Sequence, residues 1–175
     1  MAAFYIFLEL DGIAGESTTK GHEKEIEVVS YDQSIDATVI SSGGGGSGAG
    51  KTTFSGVRFR KLLDSASIPI ALACASGHHI ASARFAFRRP SPAFDFYVVA
   101  LEDVLVTHAG QCATTGTQSP LAFETLAKSP SGAALLEEVT LHFARIRWEY
   151  RPIGPKGTGL PPIVGGWDVK ANRKL

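Results

Sequence analysis

Gly45, Gly50, Lys51 and Thr52 satisfy the phosphate-binding pattern G-x-x-x-x-G-K-[ST]. In that chemistry a glycine-rich turn aims backbone N–H groups at a phosphate chain. The lysine neutralises the outer phosphates and the threonine hydroxyl holds magnesium. The apolar run Val98 to Asp103 ends in Glu102 and Asp103, as a magnesium-positioning strand would. Nucleotide binding by Gly45–Thr52 is therefore the alternative function these residues offer. Their context opposes it. A P-loop joins a buried parallel strand to a helix, whereas Phe54 to Lys61 alternates at period two, and strand–helix alternation occurs nowhere else.

Other reactive groupings are weaker. Cys74 and His78 are spaced i, i+4 with His79 adjoining, which supplies at most three metal ligands, and Gly77 interrupts the helix that would align them. A cysteine on a packed helix beside solvent-facing histidines is the simpler reading. Ser47 lacks the closing glycine of a nucleophile elbow. Glu23, Glu25 and Glu27 alternate with other residues as a solvated strand edge does. No catalytic, metal or cofactor site assembles, and the expectation is a protein that is not an enzyme.

The totals narrow the partners. Seventeen Lys and Arg balance seventeen Asp and Glu, so the excess positive charge of a nucleic-acid binder is missing. No apolar run approaches the ~20 residues of a membrane helix. The apolar start, Met1 to Leu10, has no basic flank and is interrupted by Glu9, so no targeting signal is read. The expectation is synthesis in the cytoplasm, with any export left to a dedicated machine. Two cysteines, Cys74 and Cys112, do not make a disulfide-built scaffold and read as structural or free thiols. The chain's 175 residues, 44% hydrophobic, suit a single domain over 1–175.

The elements that must position these residues have period two. Phe4, Ile6, Leu8 and Leu10 predict a first strand, and Glu25 to Tyr31 a second. Asp32 to Thr52 then reads as a long loop, with six glycines between Gly43 and Gly50 and little side chain to offset its ordering entropy. Val57 to Arg60 is a third strand. A short helix follows over 68–76, with Ser65 or Ser67 as cap and Gly77 as its end. Strands resume over Ala81–Arg88, Phe94–Thr107 and Leu136–Arg151, with a last one at Gly166–Lys170. A phase slip between Phe143 and Ile146 predicts a β-bulge. Gly116 to Gly132 reads as a second loop, partly helical near Leu121 to Lys128. About seven strands and one helix make a mainly-β fold, a compact barrel of two packed sheets with one short flanking helix and a long Gly-rich loop.

In order and spacing, Gly15-Glu16-Ser17, HEKEIEVV (His22–Val29), GGGGSGAGK (Gly43–Lys51), LACASGHH before Ile80, LEDVLV (Leu101–Val106), VTLHFARIRWEY (Val139–Tyr150) and GWDVKANRKL (Gly166–Leu175) resemble the Hcp, or haemolysin-coregulated protein, family. The likeness spans nearly the whole chain. It implies a β-barrel with one helix at its side. It also implies homohexameric rings stacked into the inner tube of a type VI secretion system, a contractile injector, with sheath, baseplate and spike components as partners. Effector proteins would travel in the channel, nucleic acid and membrane insertion would play no part, and the protein would be exported without a cleaved signal peptide. The resemblance also explains the P-loop-like segment as part of the long connection after the second strand. Ser41, Ser42, Gly43, Gly44, Gly45, Gly46, Ser47, Gly48, Ala49, Gly50, Lys51, Thr52 and Thr53 become candidates for contacts between subunits or stacked rings, and Asp32 for the channel wall. Where relatives often have tryptophan-flanked residues, this chain has Tyr31-Asp32-Gln33-Ser34.

Overall fold

A computed structural model describes residues 4–42, 46–114, 134–154 and 159–175. The alternating apolar run at the start forms β1 (Tyr5–Leu10), and β2 (Ile26–Asp32) lies antiparallel beside it with Leu8 opposite Ile26. β3 (Ile35–Ser42) and β4 (Gly46–Phe54) follow, then β5 (Val57–Leu62), α1 (Ser67–Ser76), β6 (His79–Pro90) and β7 (Ala93–Thr114). β8 (Ala134–Tyr150), β9 (Ile163–Asp168) and β10 (Arg173–Lys174) complete the described elements.

Closure comes from the two long strands. Hydrogen bonding runs β8-β5-β2-β1-β6-β7, and β7 pairs back to β8, so six strands form a closed antiparallel barrel without a free edge in that circuit. β8 is long enough to serve two neighbours on its other side: Leu136 to Leu141 border β5, and Arg145 to Tyr150 border β9. Inside lie Ile6, Leu8, Leu10, Ile26, Val57, Phe59, Phe85, Val99, Leu101, Val139, Leu141 and Ile146, and α1 adds Ile70 and Ala73 to the same core. The mainly-β barrel with one short helix read from the sequence is what the chain forms.

Four local readings change. The stretch read as a long glycine-rich loop is a hairpin in its described part, β3 pairing antiparallel with β4 from Ile35–Phe54 to Ser42–Gly46. Backbone pairing needs no side chain, so glycine content did not forbid it. The strand read as third is therefore β5. The helix carries its cap differently: Ala66 occupies that position without a side-chain bond, Asp64 Oδ1 accepts the Ala66 N–H, and the Ser67 hydroxyl is engaged elsewhere. Its end matches expectation, since Gly77 is left-handed (φ 65°) and the His78 N–H reaches the Ala73 carbonyl. The strand read at Gly166–Lys170 lies earlier, at Ile163–Asp168, because it is the partner of β8, and a short β10 follows it.

The phase slip in β8 is present one step earlier: Leu141, Ala144 and Ile146 are buried. β7 switches at the same level, from Leu101 to Val104, where Asp103 takes a left-handed φ of 54°. Both strands turn together there, and the ladder's own register shift sits further along, between Val106 and His108. The helix read near Leu121 to Lys128 lies outside the described residues.

Candidate assembly surfaces

Among the described residues the glycine-rich hairpin is a two-stranded sheet of its own, hydrogen-bonded to no strand of the barrel. Its base is fixed locally. The Ser55 N–H donates to the Ser34 carbonyl at 3.0 Å, and the Ser34 N–H donates to Ser55 Oγ at 2.8 Å. Phe54 ties the base to the barrel, edge-on to Phe143 and parallel to the Trp167 ring. Gly46 to Thr53 of the candidate set lie on β4, and Ser41 and Ser42 on β3, while Gly43, Gly44 and Gly45 lie outside the described residues.

This placement removes the phosphate cradle. In an antiparallel ladder the backbone groups of β4 point alternately toward β3 and away, rather than converging on one anion. Thr52 stands opposite Ala37 in that ladder, β5 rather than a helix follows, and Glu102 lies on an antiparallel strand. No geometry here supports the nucleotide alternative.

Asp32 ends β2 opposite Arg58, with its side chain exposed. Beside it Tyr31 turns inward between Phe85 and Phe87, each ring 5.1 Å away edge-on. Burial, reinforced by Tyr97 and Asp32, pushes the Tyr31 hydroxyl above its ordinary value. Cys74 is half-buried against the core while His78 and His79 are exposed, and both cysteines are free. His79 Nδ1 instead donates to Asp103 Oδ1 at 2.7 Å, and Lys170 joins the same carboxylate at 2.6 Å. Among the described residues no cluster of three metal-ligating side chains occurs.

Two polar networks escaped the sequence reading. Lys61 is fully buried and donates to Glu137 Oε2 at 2.6 Å, to Ser67 Oγ at 2.9 Å and to the Leu62 carbonyl at 2.8 Å, with Asp64 at 2.7 Å. Glu137 also accepts from the Ser67 hydroxyl and from Gln111 Nε2. Burial alone would raise the Glu137 carboxyl, but the bonds from Lys61, Ser67 and Gln111 outweigh it and hold it below its ordinary range. The network joins β5, α1, β7 and β8. Lys61 alternates with Arg60 as any edge residue would, so only its partners reveal its burial.

The second network centres on His22, 2% exposed, with its ring stacked on Phe7 at 4.3 Å. Its Nδ1 is 2.8 Å from Glu25 and its Nε2 3.0 Å from Asp95, which also takes Arg88 and Arg84. Burial opposes charge on Asp95, yet His22, Arg88 and Arg84 together lower its carboxyl. Glu25 was read as a solvated strand edge; this pairing draws it largely out of solvent. The network pins the β1–β2 connection to the β6–β7 hairpin.

A family model described as "Type VI secretion system effector, Hcp" matches residues 7–150. Protein hcp1 of Pseudomonas aeruginosa is 27% identical over 172 residues, covering 95% of this chain and 96% of that protein. Among solved structures, a type six secretion system protein superposes with a TM-score of 0.86 at 25% identity, covering 99% of this chain and all of that one. Hcp1 from Salmonella typhimurium superposes with a TM-score of 0.74 at 28% identity, covering 99% and 100% of the two chains. The chain belongs to the Hcp family of type VI secretion system proteins.

Proposed function

We propose that this chain is the building block of a type VI secretion inner tube: six copies close a ring, rings stack, and the tube is expelled with cargo in its channel. The observation that carries the reading is the full-length match to Hcp barrels, joined to a glycine-rich hairpin that pairs with no strand of its own barrel. Such a hairpin buries little by itself and gains order by docking on another copy. Residues Ser41 to Thr53 are accordingly assigned to contacts between subunits or stacked rings, and Asp32 to the channel wall. Sheath, baseplate and spike components are the partners outside the tube, and effectors those within. The role is structural rather than enzymatic, and export occurs without cleavage of a signal peptide.

Light scattering with negative-stain microscopy tests the reading. Rings with a central hole and a mass of about 111 kDa, six times 18.5 kDa, are expected. Deleting Gly43 to Gly48 should leave the barrel's circular dichroism intact and shorten or abolish stacks. Unchanged stacks would remove the hairpin from the contact. A monomer at every concentration, with no rings in the presence of the apparatus, would overturn the tube itself.

A further inference from the structure

We propose that the buried row Gln111, Glu137 and Lys61 sets the register in which β8 closes the barrel, choosing one ladder among several that the apolar pattern leaves equivalent. The role is played within a single copy and goes beyond the ring reading.

Closure is where register is least specified. β6 and β7 are joined by two residues, Ser91 and Pro92, with Pro90 opposite Ala93, so their turn fixes how they pair. β5 and β8 have no such turn, since α1, β6 and β7 lie between them in the chain. Side chains must choose their ladder, and apolar ones choose poorly. Alternation repeats every two residues, and so do the ladder's hydrogen bonds. In the observed ladder Val57 faces Leu141 and Phe59 faces Val139. Slid by two residues one way, Val57 would face Phe143 and Phe59 would face Leu141; slid the other way, Val57 would face Val139. Apolar still meets apolar at those places. Each slip is another closed barrel with a different stagger.

The row removes that freedom. Lys61 stands directly opposite Glu137 across β5 and β8, and Glu137 directly opposite Gln111 across β8 and β7. Lys61 is 0% exposed and Glu137 4%. Lys61 Nζ donates to Glu137 Oε2 at 2.6 Å, and Gln111 Nε2 donates to Glu137 Oε1 at 2.7 Å. The side chains that also hold Lys61, Asp64 and Ser67, follow β5 in the chain and travel with it. A slip of two residues slides the strands by about 7 Å, which breaks the bond between Lys61 and Glu137. One way, Lys61 would face Val139 and Glu137 would face Leu63; the other way, Glu137 would face Phe59 inside the core. In both, Glu137 keeps Gln111 but loses its counter-ion, and a buried carboxylate so stripped is strongly disfavoured. The outward pair Arg60–Glu138, 2.7 Å apart, marks the same register, but its partly exposed charges are too well solvated to enforce it.

Cross-linking reads the register in a Cys74→Ala, Cys112→Ser background. Arg60→Cys with Glu138→Cys reports the observed ladder. Arg60→Cys with Thr140→Cys, or with Leu136→Cys, reports a slip one way or the other, because diagonal neighbours stand too far apart for a disulfide. With Lys61 and Glu137 in place, only the first pair should close. Adding Lys61→Met and Glu137→Leu should leave a folded barrel by circular dichroism and raise a slipped cross-link at least about tenfold. The cysteine at position 60 removes the outward ion pair in every comparison, so that pair cannot account for the change. Phe59→Leu, which loosens the core but keeps the row, should leave the slipped pairs open. A folded Lys61→Met, Glu137→Leu barrel that closes only the 60–138 pair would overturn the proposal, as would slipped cross-links of equal yield in Phe59→Leu. Should that double variant not fold, Lys61→Met with Glu137→Gln removes the same charges with less change of shape and is read in the same way. Failure of both to fold would also overturn the proposal, because the row would then be needed for stability rather than for register.

Discussion

At the residue scale, the strongest constraints are charges the barrel has taken inside. Lys61 is enclosed by Glu137, Asp64 and Ser67, so removing one partner leaves a buried charge without its counter-ion. Glu137→Ala should therefore cost about 3–5 kcal/mol, read as a lower urea midpoint at unchanged slope. Replacing both partners, as in Lys61→Met with Glu137→Leu, should recover much of that loss, since no lone charge remains. The same carboxylates set the acid limit. Glu137 and Asp95 titrate below their ordinary values of 4.5 and 3.8 in the folded chain, so their contribution is complete above those values. It is lost as pH falls through the lower folded values. Unfolding measured from pH 6 downward should show a plateau and then a decline below about pH 4, with a shallower decline in Asp95→Asn. Equal slopes in the two proteins would remove Asp95 from the acid limit.

At the element scale, backbone conformation decides more than side-chain chemistry does. Gly77 ends α1 with φ at 65°, and a Cβ there would meet nothing within 4 Å, so only backbone strain opposes substitution. Gly77→Ala should cost about 1–2 kcal/mol, and Gly77→Asn less, because asparagine tolerates the left-handed region. Gly15 differs in kind: its Cβ would come within 2.5 Å of the Glu25 carbonyl oxygen. Gly15→Ala must push the β1–β2 connection outward, and its thermal midpoint should fall further than that of Gly77→Ala. The hairpin has one aromatic anchor, Phe54 against Phe143 and Trp167. Phe54→Ala should cost the barrel on the order of 1 kcal/mol while disturbing stacking more than ring formation, as microscopy would show.

At the scale of the whole molecule, closure and assembly separate cleanly. The six-stranded circuit has no free edge, whereas the hairpin and the outer part of β9 do. Among the described residues these two edges lie outside the closed circuit, where pairing with another copy does not compete with folding. If rings dissociate as their subunits unfold, mass action stabilises the subunit, and the thermal midpoint should rise with protein concentration. A midpoint independent of concentration, in a preparation shown to contain rings, would mean that rings come apart before subunits unfold.

The sequence by itself determined the class of fold and the family. Alternation over β1, β5, β6 and β8 is a local property, and one buried face per strand is enough to imply a closed mainly-β structure. The helix end was equally legible, because glycine suits the left-handed backbone angle at position 77 best. The tertiary structure alone decided which strands are neighbours, since β8 chooses β5, β7 and β9 across gaps that no local pattern spans. It also decided that the glycine-rich stretch pairs as β3 and β4, which rests on backbone bonds carrying no side-chain signature. Burial of Lys61 and His22 belongs to the same group. A charged or polar side chain enters a core only when partners from distant strands meet it, and those partners are named by the fold, not by spacing.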